Sequence, residues 1–79
     1  DEFLIGRDRT ICDFILQEKS VGRIHARISR HGSHYFLEDL GSVNGTFLDN
    51  KKLNKHQTYL LADQCRLKFA ERTFYFNID

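Results

Sequence analysis

Three short stretches hold the residues that could do chemistry: Gly6-Arg7, then Arg23-Ile24-His25, then Gly41-Ser42-Val43-Asn44-Gly45-Thr46 with Phe47 after it. The types suit the capture of an anion such as phosphate. A guanidinium gives charge-assisted and, where the geometry allows, bidentate bonds to an oxyanion. Hydroxyls or successive backbone N–H groups form a concave anion cradle. A carboxamide can hold the backbone of a bound peptide through both its donor and its acceptor. Arg7, Arg23, Ser20, Ser42 and Asn44 supply these groups at polar stops between apolar runs.

The same inventory argues against catalysis. His25 has no serine or cysteine partner in a nucleophile motif. The four histidines and eleven acids show no His-Glu-x-x-His spacing, and the two cysteines no Cys-x-x-Cys. Cys12 and Cys65 stand far apart with no further cysteine or histidine at ligand spacing. Two buried free thiols in a reducing compartment are therefore expected. The chain is read as a non-enzyme without metal or cofactor.

The elements that must position these groups are short. Phe3-Leu4-Ile5 reads as a strand ending at Gly6, and Phe14-Ile15-Leu16 as a second. Ile24, Ala26 and Ile28 alternate with His25, Arg27 and Ser29, which predicts a half-buried strand with the isoleucines inward. Residues 30–34 read as a turn, with Tyr35 to Leu40 returning as the partner strand. Asn44-Gly45 is a strong turn dipeptide. Thr46-Phe47-Leu48 should pair with Lys51-Lys52-Leu53 across Asp49-Asn50. Tyr59 to Ala62 has room for one helical turn. Cys65, Leu67 and Phe69 alternate with basic residues, Glu71-Arg72 turns the chain, and Phe74, Phe76 and Ile78 alternate inward. Frequent punctuation and no sustained helical period predict an all-β sandwich or barrel of mostly antiparallel strands.

The bulk numbers fit one small domain. A chain of 79 residues buries only roughly 60–65% of its unfolded surface, enough for one thin core. Seven Phe and three Tyr within 41% apolar residues can fill it. A net charge of +1 argues against nucleic-acid binding by bulk charge, and the aromatics read as core-facing rather than as a stacking stripe. No run approaches the ~18 apolar residues of a membrane span. The chain opens next to one apolar run and ends within another, so residues 1–79 are read as a single domain excised from a larger, cytoplasmic or cytoplasm-facing protein.

The three stretches, in their order, resemble the forkhead-associated (FHA) domain, a phosphothreonine-peptide binding module, from about Phe3 to Phe76. The resemblance implies an FHA-type β-sandwich of two sheets. It gives Arg7 a phosphate contact beside Arg23, and Asn44 a contact to the ligand backbone. Val43 takes the variable position lining the ligand groove, and Ser42 chiefly stabilises its loop. Gly6, His25, Gly41, Gly45 and Thr46 support the loops, His25 by bracing them. One departure matters. The family pattern Ser-Arg-x-His is Gly22-Arg23-Ile24-His25 here, so the phosphate-contacting serine is missing. Ser20, Lys19 or the Gly22 N–H are the groups available to replace it. Gln64-Cys65 and Phe69-Ala70 depart from the family's Gly-Asp and Phe-Gly, and Asn50 stands for its usual hairpin Gly. The resemblance implies a monomeric module that binds a phosphothreonine protein, in trans or in cis, made by an upstream serine/threonine kinase. The alternative is an FHA-fold scaffold or interaction domain whose phosphate dependence is weakened or lost with the serine. Arg9 and Lys51 could lie near the ligand loops and favour acidic residues.

Overall fold

The computed structural model describes residues 1–78. Its strands are β1 (Glu2–Gly6), β2 (Phe14–Ile15), β3 (Ala26–His31), β4 (His34–Asp39), β5 (Thr46–Leu48), β6 (Lys51–Lys52), β7 (Thr58–Leu61), β8 (Cys65–Phe69) and β9 (Arg72–Phe76). They form two sheets, ordered β2-β1-β3-β4-β7 and β6-β5-β8-β9. Every pairing between strands is antiparallel except β1 with β2. The expected all-β, two-sheet architecture is present, and the described residues include no helix, hence none long and apolar enough to cross a membrane.

Alternation decides which side chains meet between the sheets. Ile5, Ala26, Leu37 and Leu61 come from the first sheet, and Cys65, Leu67 and Phe69 from the second; all are buried. Leu16, Val21 and Leu53 enter the same cluster from connections. Edge-to-face pairs of Phe14 with Phe74 and Tyr35 with Phe76, centroids 5.0 and 5.4 Å apart, join the layers. Each large side chain buried this way contributes about 1.5–3 kcal/mol. Both cysteines are buried and free, and burial pushes both thiols up.

Several boundaries differ from the sequence expectation. Tyr59 to Leu61 is not helical but belongs to β7, which pairs with β4 from Leu61 opposite Tyr35 to Thr58 opposite Glu38. The turn over residues 30–34 shortens to Gly32-Ser33, because Arg30 and His31 still pair with Tyr35 and His34. The last turn lies at Ala70-Glu71, with Arg72 already in β9 and Ala70 at φ 56°. The alternation assigned to Ile24 is inverted: Ile24 is exposed and His25 buried, since β3 begins only at Ala26. The Asp49-Asn50 hairpin is as expected. Its φ values of 49° and 71° match the right-handed strand twist that favours such turns.

Candidate functional site

The pairing register brings the three polar stretches to one end of the sandwich. Ile5 at the end of β1 faces Ala26 at the start of β3, which faces Asp39 at the end of β4. The loops after β1 (7–13), before β3 (16–25) and after β4 (40–45) therefore leave the first sheet side by side.

Gly6 lets the first two loops touch. A Cβ built there would lie 2.3 Å from the Arg23 carbonyl oxygen and 2.9 Å from Cys12 Sγ. In that space the Arg7 N–H donates to both Gly22 O (3.0 Å) and Arg23 O (3.1 Å), and the Asp8 N–H to Arg23 O (3.0 Å). The Arg7 side chain is tethered near its root: Nε donates to Val21 O at 2.9 Å. Its two terminal nitrogens have no protein partner among the described residues. Arg23 is largely exposed and leans on Asp8, with Nη2 3.4 Å from Oδ2. Thr10 closes a tight turn on Asp8 through its hydroxyl and its N–H. These Thr10 bonds, with a smaller part from Arg23, hold the Asp8 carboxyl below its usual range.

His25 links the second and third loops. Its Nδ1 accepts the Gly22 N–H at 2.9 Å, so Nε2 carries the proton and donates to Gly45 O, also at 2.9 Å. Both bonds are made by a neutral ring that is wholly buried and edge-on to Phe69. Gly45 O also accepts the Ala70 N–H at 3.0 Å, which fastens the β8–β9 turn to the same point. The Gly22 N–H, one of the groups expected to replace the missing serine hydroxyl, is thus already engaged by His25.

Asp39 organises the third loop, and its role was not apparent from the sequence. Its buried carboxylate accepts the N–H groups of Gly41 (3.1 Å) and Ser42 (3.0 Å) and the hydroxyls of Ser42 and Thr46, both at 2.5 Å. Burial pushes the carboxyl up, but these four bonds outweigh it and hold the group below the usual carboxylate range. Ser42 is buried, donating to Asp39 while its Oγ accepts the Gly45 N–H at 3.0 Å. It braces the loop from inside rather than offering a surface hydroxyl. Thr46 is buried in the same cluster. Gly41 and Gly45 have φ of 90° and 92°, a region that favours glycine, whereas Asn44 does not need it.

Two residues of this loop face outward. Val43 is 88% exposed. Asn44 is also exposed and donates through Nδ2 to Ser20 O at 2.7 Å, which ties the third loop back to the second. Its other amide hydrogen and Oδ1 have no protein partner among the described residues. The structure therefore connects Arg7, Ser20, Gly22, Arg23, His25, Asn44 and Gly45 through one set of bonds. Lys19 and Arg9 lie exposed on the same loops, and Lys51 on β6. No group of three or more His, Cys, Asp or Glu among the described residues could hold a metal ion.

A β-sandwich that gathers donor-rich loops at one end is the architecture of a binding module. The chain belongs to the FHA domain family, whose pattern it matches over residues 3–70. It is 39% identical over 71 residues to the Arabidopsis thaliana protein phosphatase 1 regulatory inhibitor subunit PPP1R8 homolog, covering 89% of this chain and 19% of that protein. It is 33% identical over 73 residues to the human nuclear inhibitor of protein phosphatase 1, covering 90% and 21%. The chain thus spans about a fifth of the length of these relatives. Among solved structures it superposes on Mycobacterium tuberculosis EmbR in complex with a low-affinity phosphopeptide, with TM-score 0.90 and 28% identity over 98% of this chain and 20% of that one. An FHA domain solved for its phosphothreonine-dependent interactions gives TM-score 0.88 at 28% identity, over 99% and 77% of the two chains.

Proposed function

We propose that this chain is a non-catalytic module that binds a phosphothreonine peptide across the three loops. The observation that carries the reading is the arrangement of Arg7. Its Nε is fixed to Val21 O beside the Gly22-Arg23 backbone, while its terminal nitrogens remain unpaired among the described residues. A guanidinium oriented by one bond and open at its fork suits a phosphate dianion. Arg23 lies against the first loop and adds a second, exposed cation. Asn44 holds the peptide backbone, and Val43 flanks the groove. Ser20 or Lys19 stands in for the missing serine. Threonine preference comes from a small apolar niche for its methyl group. The likeness to phosphopeptide-bound FHA structures supports this class of ligand. The partner is then the product of a serine/threonine kinase, and the domain acts as a monomer.

A second reading rests on Gly22. It has no hydroxyl, and its N–H is held by His25. With that donor gone, the domain would bind a protein surface without regard to phosphate. Fluorescence anisotropy with degenerate phosphothreonine, phosphoserine and unphosphorylated peptide libraries separates the two, each measured with the parent chain and Arg7→Ala. Binding that needs phosphothreonine and is lost in Arg7→Ala supports the first reading. Equal binding by all three libraries, unaffected by Arg7→Ala, overturns it in favour of the second.

A further inference from the structure

We propose that the solvent face of the β6-β5-β8-β9 sheet is a second contact surface, fitted to an acidic segment of the same peptide that presents the phosphothreonine. The inference rests on the phosphothreonine reading above and extends it to the chemistry of the partner.

Register assigns the face. Thr46, Leu48, Leu67, Phe69, Phe74 and Phe76 occupy inward positions, so the residues between them point out. Phe47 pairs with Lys52 on one side and Lys68 on the other, and Lys68 pairs with Thr73. In the next outward row Arg66 pairs with Tyr75. One carboxylate borders these positions, Asp49 beside Arg66, where Oδ1 accepts the Arg66 N–H at 2.9 Å; Lys52, Arg66 and Lys68 form no ion pair among the described residues. The opposite sheet differs: there Arg27 is matched with Glu38 at 2.6 Å and with Glu2 at 3.7 Å. A domain with a net charge of only +1 thus gathers three unmatched cations on one sheet face.

The face is also aromatic. Lys68 Nζ stands 4.9 Å from the Phe47 ring centroid, and Tyr75 is 74% exposed. Tyr75 points outward, as its alternation with Phe74 and Phe76 predicts, whereas Phe47 departs from the core-facing reading of the aromatics. An apolar floor under lysines suits an extended peptide, whose aliphatic stems lie on the rings while its carboxylates meet the cations.

Continuity with the loops identifies the occupant. A Cβ at Gly45 would lie 3.0 Å from Lys52 Cε and 3.1 Å from the Phe47 ring. The cationic row therefore starts against the loop that carries Asn44. Crossing from β6 to β9 at ~4.8 Å per strand covers ~14 Å, which an extended chain at ~3.3 Å per residue spans with about four residues. The occupant is thus a short run of Glu or Asp adjoining the phosphothreonine motif.

The test is anisotropy with four fluorescent peptides: phosphothreonine with neutral flanks, the same with four Glu on its N-terminal or its C-terminal side, and an unphosphorylated acidic peptide. Each is titrated into the parent chain and into Lys68→Gln/Arg66→Gln, at low and high salt. Exposed ion pairs contribute about two- to threefold each, so one acidic phosphopeptide should bind about tenfold tighter than the neutral one at low salt. That gain should shrink at high salt and in the double variant, while affinity for the neutral phosphopeptide stays the same. No gain for either acidic peptide, or a gain unchanged in the variant, overturns the proposal. A fluorescent oligouridylate is titrated alongside the peptides; tight binding of it that the variant abolishes, with acidic peptides indifferent to the variant, overturns the proposal in favour of a nucleic-acid surface. Failure of the neutral phosphopeptide to bind refutes the phosphothreonine reading alone, because the unphosphorylated acidic peptide still reports on the face.

Discussion

Gly22→Ser tests the link between the missing hydroxyl and affinity. The backbone accepts the change. Gly22 lies outside the positive-φ region. A Cβ there would meet His25 Cα and Nδ1 at 3.5 Å and His25 Cβ at 3.6 Å, which are ordinary contact distances. The Gly22 N–H bond to His25 needs no rearrangement, so the fold should keep its stability or gain up to about 1 kcal/mol from a less flexible unfolded chain. The new Oγ sits on the loop whose carbonyls already hold the Arg7 N–H. A hydrogen bond to a charged group is worth about 1.5–3 kcal/mol. At 1.4 kcal/mol per decade, Kd for a phosphothreonine peptide should fall about ten- to a hundredfold. Isothermal titration calorimetry measures it, with Gly22→Ala as the control that adds the Cβ without the hydroxyl. An unchanged Kd in Gly22→Ser, or an equal gain in Gly22→Ala, would refute the argument from the hydroxyl. Destabilisation by more than about 1 kcal/mol would show that the space at Gly22 has been misjudged.

Other consequences are as direct. Asp39→Asn places an NH₂ group against donors that now share a carboxylate, and should lower stability by about 3 kcal/mol in urea unfolding; a shift under 1 kcal/mol would remove Asp39 from the centre of the loop. The pH dependence follows from the same group. Folding depresses the Asp39 carboxyl below its ordinary 3.8, so the unfolded chain takes up protons first as pH falls. The stabilisation is complete above the unfolded value and is lost as pH drops through the lower folded one, so urea midpoints should hold at neutral pH and decline in the acid limb. An identical decline in Asp39→Asn would assign it elsewhere. Gly6→Ala forces a Cβ onto the Arg23 carbonyl, and should cost about 1–3 kcal/mol with a lower thermal midpoint; an unchanged midpoint would mean that the two loops separate freely.

Much of this was legible in the residues. The alternation of Cys65, Leu67 and Phe69 placed β8, and Asp49-Asn50 placed a hairpin, because strand period and turn chemistry are local properties. Ile24 and His25 show the limit. Alternation put the isoleucine inside, yet the chain is still in a turn at Ile24, and one local hydrogen bond with Gly22 and one long-range bond with Gly45 compensate the imidazole for burial. β7 was ambiguous because Tyr59 to Ala62 is too short to show a period, and only pairing with β4 defines it. Asp39 read only as one residue of the strand from Tyr35 to Leu40. Its four donors come from residues up to seven positions later, folded back by glycines at φ near 90°. No local pattern carries that information, although a carboxylate at the end of an apolar strand, ahead of Gly-Ser and Thr, is the signal that could have found it.

The imidazole of His25 has a kinetic consequence. With one nitrogen holding the Gly22 loop and the other the Gly45 loop, and with Asn44 tied to Ser20, the receptor has little conformational freedom left to lose on encounter. Ordering costs then fall on the incoming chain alone, so association should proceed as a single step at the ordinary rate for docking preformed surfaces. A ligand of modest strength would arrive quickly and leave quickly. Such a contact can follow the phosphorylation state of its partner as that state changes, instead of outlasting it.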